Sequence, residues 1–192
     1  MDSERRYHHG DLREALLKAS EELLEVRGLD GFTLREAARR AGVSPAAPKH
    51  HFGDVKGVLT EIAIGGFDRL AAGLEEADRQ GGGTSDRLHR QGLAYIGFAM
   101  AHPARFDLMF RRSRLNPGDS RLLAAAASAI APLQRLASGL PRLKEADGAL
   151  LIWSTVHGFA RLALDGQFDR LAGDDLPAFI EARMKSAVAS WE

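Results

Sequence analysis

The stretch Thr33-Leu-Arg-Glu-Ala-Ala-Arg-Arg-Ala-Gly-Val-Ser-Pro-Ala-Ala-Pro-Lys-His-His-Phe52 decides how the chain is read. Thr33 and Glu36 stand in the S/T-x-x-E arrangement that opens a helix. There the Thr oxygen accepts from one orphan amide and the Glu side chain reaches back to another. Gly42 closes this helix after Ala37, Ala38 and Ala41. Ser44 then caps a second helix with Pro45 at its first position, where a missing N–H costs nothing. Pro48, at the fourth position, gives up the first intrahelical hydrogen bond, which confines this helix to about two turns ending near Phe52.

Two short helices joined by Ala41-Gly42-Val43-Ser44 have the proportions of a helix-turn-helix. In that device the second helix lies in the DNA major groove, while the first crosses above it and holds phosphates. The charge of the whole chain argues the other way. Its 192 residues carry 26 Lys+Arg and 26 Asp+Glu, and phosphate binding is driven by cations that displace counterions. The distribution resolves the conflict. Residues 35 to 56 hold five bases (Arg35, Arg39, Arg40, Lys49, Lys56) against Glu36 and Asp54. Residues 11 to 30 hold six acids against three bases, and from residue 61 onward 16 charges of each sign cancel. A basic segment beside an acidic one is hidden in the sum.

Outward from this segment the pattern is helical throughout. Leu12, Ala15, Leu16, Ala19, Leu23, Leu24 and Val26 recur at spacings of three and four, which predicts a helix capped by Asp11 and stopped by Gly28. Long amphipathic runs are expected from Val55 to about Gln80, from Thr84 or Ser85 to about Ala101, from about Lys144 to Leu164 and from about Leu176 to Trp191. A short piece over Ala104 to Phe110 and an alanine-rich run from Ser120 to Leu136, kinked or broken at Pro132, complete a count of nine helices. No alternating strand pattern of useful length occurs. The expected fold is all-α, with a helix-turn-helix domain over residues 1–54 and a larger helical domain over 55–192.

Composition narrows the function. The chain has no cysteine, which excludes disulfides, thiolate metal sites and cysteine nucleophiles. The longest nearly apolar stretch, Leu122 to Leu133, is well short of the roughly 18 residues that span a bilayer. The charged start MDSERRYHHGDLRE has no apolar core of a signal peptide. A cytoplasmic location without membrane contact is expected.

The run from Tyr7-His-His-Gly-Asp-Leu12 through Gly31-Phe-Thr33 to His51-Phe-Gly-Asp54 resembles the DNA-binding domain of tetracycline-repressor (TetR) family regulators. Trp153-Ser-Thr-Val-His157-Gly158 resembles the Trp-His-Gly motif of one branch of their C-terminal domains. The resemblance implies a homodimeric repressor with an N-terminal three-helix DNA-binding domain and a helical C-terminal ligand-binding and dimerisation domain. It also implies a double-stranded operator and a small-molecule effector as partners. Where family members carry Tyr before the His-Phe pair this chain has Lys49, and where they carry Lys three residues after that Phe it has Val55, with Lys56 next. Thr33, Arg35 and Ser44 are expected to hold phosphates. Pro45 and Ala46 lie at the groove, Lys49 and His50 read bases, and Lys56 reaches the backbone.

In the C-terminal half, Trp153, His157 and Arg161 fall on one stripe. His157 is either a hydrogen-bonded core residue or a polar group orienting an effector among Tyr95, Phe98, Phe106, Met109, Phe110 and Trp153, in the mostly apolar character of small-molecule sites. Gly158 and Leu162, with Leu176, Phe179, Ile180 and Met184 of the last helix, are expected to form the dimer interface. Adjacent histidines such as His8-His9 and His50-His51 diverge by about 100° on a helix and make poor chelating pairs, so neither metal nor cofactor is expected. Two other readings remain: a helical small-molecule-binding protein with weakened DNA binding, and an enzyme using His157 as base. The second lacks any nucleophile, acid–base pair or phosphate-cradling loop.

Overall fold

A computed structural model describes residues 2–140 and 148–191, with side chains from Leu12 onward. Among the described residues every regular element is helical. In order these are α1 (Asp2–Arg27), α2 (Leu34–Arg40), α3 (Ala47–Phe52), α4 (Val55–Arg79), α5 (Thr84–Ala101), α6 (Pro103–Met109), α7 (Ser120–Ala137), α8 (Gly148–Leu164), α9 (Asp169–Ala172) and α10 (Leu176–Ala189), with a 3-10 turn at Arg112–Arg114. The helix beyond the expected nine is α9, a single turn too short to show a periodic signal. No helix among the described residues is long and apolar enough to cross a membrane.

The helices pack as two compact units. One comprises the described residues through Gly66 together with His102–Leu123; the other comprises those of Phe67–Ala101 and from Ala124 onward. The boundary expected after residue 54 falls at the turn before α4, whereas the packing units assign the start of α4 and all of α6 to the first.

In the first unit, Leu16, Ala19, Leu23 and Leu24 of α1, Ala37 and Ala38 of α2, and Val58, Leu59, Ile62 and Ala63 of α4 are buried. Helix α6 adds Phe106, Leu108 and Met109. It meets α4 closely at a glycine: a Cβ on Gly66 would lie 2.7 Å from Met109 Sδ and 3.2 Å from Arg105 Cδ. In the second unit, α5 packs against α8 and α10. It buries Leu88, Tyr95, Ile96 and Ala99, while α8 contributes Ile152, Val156 and Ala160 and α10 contributes Ile180, Met184 and Val188.

Three expectations are corrected. Helix α1 begins at Asp2, so Asp11 lies inside the helix and is not its cap. Gly10 costs a helix only about 1 kcal/mol, too little to stop one that continues on both sides. Helix α3 begins at Ala47 with Ala46 at the cap position and no side-chain cap bond. Ser44 instead closes a turn, its carbonyl accepting from the Ala47 amide at 3.0 Å. Pro48 thereby falls within the first two helical positions, where no intrahelical donor is needed. Helix α7 runs through Pro132 without the break expected as the alternative to a kink, with Ala129, Leu133 and Leu136 on either side all buried. The expected start of the next helix near Lys144 lies outside the described residues, and α8 is described from Gly148.

Candidate functional site

The eight residues expected to meet DNA are Thr33, Arg35, Ser44, Pro45, Ala46, Lys49, His50 and Lys56, and all are exposed. A groove of about 390 Å³ between α2 and the approach to α3 is lined by Thr33, Arg35, Glu36, Arg39, Val43 and Pro45. Thr33 Oγ1 accepts from the Glu36 amide at 3.3 Å, the first half of the expected reciprocal cap. The second half is replaced. Glu36 turns its carboxylate onto Arg39, which donates Nε at 2.8 Å and Nη2 at 2.7 Å, and onto Arg40, whose Nε donates at 3.4 Å. The Arg39 fork, with both Coulombic attractions, holds the Glu36 carboxyl at about 2.

Helix α3 is anchored from below. The Arg13 guanidinium lies over the Phe52 ring at 4.9 Å and pairs with Glu61 at 2.7 Å. Glu61 in turn takes Arg121 at 2.7 Å. Pro48 is buried, which leaves Lys49 and His50 facing outward. The chain then turns at Gly53, with φ of 79°, and Asp54 Oδ1 caps α4 by accepting from the Gly57 amide at 2.8 Å. The His50 and His51 rings are tilted against each other with centroids 5.2 Å apart. Among the described residues no three His, Asp or Glu side chains are placed to hold a metal ion.

In the second unit Tyr95, Trp153 and His157 come together. Trp153 Nε1 donates to Tyr95 Oη at 3.3 Å, and Tyr95 Oη lies 2.9 Å from His157 Nδ1. Indole is a donor only, so the Tyr95 oxygen accepts there; the direction of its second bond, to His157 Nδ1, is set by the imidazole tautomer. Burial, followed by repulsion from Arg161, lowers the His157 pKa, and burial raises that of Tyr95; both shifts favour the uncharged side chain. Phe98 is half-buried on the same α5. Phe106, Met109 and Phe110 belong to the first unit, where the Phe106 and Phe110 rings meet edge-on at 5.0 Å.

The expected dimer residues divide. Ile180 and Met184 are 4% and 0% exposed within the protomer, and Met184 lies against α5 where Gly92 leaves room for it. Phe179 is half-buried beside Phe168, with Arg183 over its ring at 5.5 Å, and Leu176 is half-buried. Leu162 and Leu151 on α8 remain 44% and 47% exposed. A Cβ on Gly158, between them on the same face, would meet nothing within 4 Å.

Two features escaped the periodic pattern. Arg105, 4% exposed, pairs with Glu21 at 3.0 Å and lies 3.9 Å from Glu25. Gln91 is fully buried on α5 one turn before Tyr95. The signal for Arg105 was a cation in the middle of the apolar run Ala104 to Phe110; Gln91 gave none beyond its place on the buried face.

Residues 16–62 match the family described as bacterial regulatory proteins, tetR family, and residues 88–186 match the tetracyclin repressor-like C-terminal domain. An uncharacterised HTH-type transcriptional regulator of Mycobacterium tuberculosis, Rv0681, is 27% identical over 166 residues, spanning 84% of this chain and 74% of the relative. A protein of unknown function from Rhodococcus sp. RHA1 superposes with a TM-score of 0.79 at 32% identity, covering 96% of this chain and 95% of that one. The fold is also that of LfrR from Mycobacterium smegmatis, solved in complex with proflavine, with a TM-score of 0.65 at 18% identity over 95% and 97% of the two chains. The helix-turn-helix surface, the helical second unit and these matches make the chain a member of the TetR family of transcriptional regulators.

Proposed function

We propose that the chain is a cytoplasmic, non-catalytic repressor. Two copies set their α3 helices in successive major grooves of a near-palindromic operator, and a small molecule held by the C-terminal helices releases them. Residues 1–54 serve DNA, and 55–192 serve the effector and the dimer. The observation that carries this reading is the exposure of all eight expected DNA-contact residues, from the α2 cap through α3 to the start of α4, around a groove lined by Thr33, Arg35 and Pro45. Small and apolar side chains at Pro45 and Ala46 leave Lys49 and His50 as the polar readers, so operator shape and half-site spacing carry much of the specificity.

For the effector, the Tyr95–His157–Trp153 chain offers oriented polar groups within a largely apolar second unit, the combination that small-molecule sites use. By linkage, effector and operator must weaken each other by the same factor. For the dimer, the exposed α8 face of Leu151, Thr155, Gly158 and Leu162 supports an isologous contact, with Gly158 permitting close approach of a symmetry mate. The test is selection of bound sequences from random duplex DNA. An enriched inverted repeat is expected; recovery of no repeat rejects the reading.

A further inference from the structure

We propose that Glu36 is an internal counter-anion that restrains the sequence-independent part of DNA binding by occupying Arg39 and Arg40 in the place where a phosphate would bind them. The inference rests on the reading of the α2–α3 groove as the DNA face. It adds a residue that weakens binding to those that make it.

Three observations carry it. First, Glu36 and Arg39 line the same groove as Thr33, Arg35 and Pro45, so a backbone phosphate approaching the helix-turn-helix meets the pair directly. Second, the geometry is that of an arginine gripping an oxyanion: Arg39 Nε and Nη2 meet the two carboxylate oxygens at 2.8 and 2.7 Å, and Arg40 reaches the same carboxylate at 3.4 Å. A planar guanidinium fork serves carboxylate and phosphate equally well. Third, the Arg39 side chain keeps 72% of its exposure while so engaged, so it stays accessible to DNA. The Thr33 cap uses the Glu36 backbone amide, so it does not depend on the carboxylate.

The consequence is electrostatic. Of the five bases in residues 35 to 56, two are matched by one acid before DNA arrives. To use either arginine, a phosphate must displace Glu36 or be held beside a like charge. Both routes weaken binding to every sequence alike and reduce the number of counterions released. A lowered ceiling on overall affinity keeps operator release within reach of an effector whose coupling is modest.

The test is Glu36→Gln, an isostere that leaves the Thr33 cap in place, with a thermal melt to verify the fold. Affinity is measured by fluorescence anisotropy for the selected operator and for a scrambled duplex from 50 to 300 mM salt. Both duplexes should bind about three- to tenfold more tightly at the lowest salt, with a salt slope steeper by about 0.9 for each phosphate gained. In an Arg39→Ala/Arg40→Ala background the same Glu36→Gln change should have no effect, which separates the proposal from a general loss of negative charge. Unchanged affinity, a gain confined to the operator, or a gain that persists without the arginines overturns it. A wild-type protein that binds neither duplex overturns the DNA-binding reading as well, so the two failures are distinguishable.

Discussion

Replacing Arg105 by Met tests the packing of α6 against α1. The guanidinium is 4% exposed, while the Glu21 and Glu25 side chains retain 20% and 30%. Breaking a buried ion pair from one side costs about 3 to 5 kcal/mol where the remaining charge stays out of water. Partial exposure of both carboxylates places the cost near about 3 kcal/mol. For a chain of this length that lowers the melting temperature by about 6 to 12 °C. Met matches the aliphatic stem that passes Gly66, so the loss is electrostatic and not a cavity.

Its pH dependence gives a second, independent check on the same variant. Burial raises the Glu25 pKa, His102 opposes that rise and the Glu21 charge adds to it. A carboxyl raised on folding holds its proton to higher pH than in the unfolded chain. Its contribution is therefore present at low pH and lost as pH rises through the folded value. The guanidinium lies 3.0 Å from Glu21 and 3.9 Å from Glu25 and favours their ionised forms, so the defect of Arg105→Met should be larger at pH 7.5 than at pH 5. Melts followed by circular dichroism at the two pH values measure it. A defect of the same size at both, or none at either, would refute the assignment of Arg105 as the buried charge that satisfies α1.

Three further outcomes are expected. Tyr95→Phe removes the bonds to Trp153 and His157 and should cost about 1 to 3 kcal/mol in urea unfolding; wild-type stability would remove the chain from the account. His157→Gln should flatten the fall in melting temperature as pH drops below 6.5, because the folded His157 pKa is lowered from that ordinary value and the unfolded chain binds the extra proton. An unaltered pH slope would count against a buried neutral imidazole. Leu162→Glu, which places a charge on the exposed face of α8, should give monomers in sedimentation velocity without lowering the melting temperature of the protomer; an intact dimer would move the interface elsewhere.

The helix-turn-helix was legible because its punctuation is local: Thr33 caps, Gly42 takes φ of 67° to end α2, and Phe52 ends α3 before Gly53. The start of α3 was less so. Ser44 and Pro45 carry start signals, but Pro48 is better placed among the first positions of a helix beginning at Ala47, and the later start wins. Periodicity identified the apolar side of α10 but not what covers it. Ile180 and Met184 are buried inside the protomer, Met184 against Gly92 of α5, because a helix face shows that burial is needed without naming the partner. The pairing of Tyr95 with His157 spans 62 residues, and that of Arg105 with Glu21 depends on Gly66 admitting the side chain; neither long-range contact follows from local pattern. Glu36 was legible as a helix opener, yet its turn toward Arg39 and Arg40 is a competition between two geometries that the capping pattern alone does not decide.

On this reading α2 and α3 form the surface that reads DNA. Its most direct measurement is the dissociation constant of the wild-type protein and of Lys49→Ala for the selected operator and a scrambled duplex, over 50 to 300 mM salt. Operator binding should be at least about 10³-fold tighter than binding to the scrambled duplex, with Lys49→Ala reducing operator affinity and that ratio. Equal affinity for both duplexes, or a variant indistinguishable from wild type in ratio and salt slope, would contradict it.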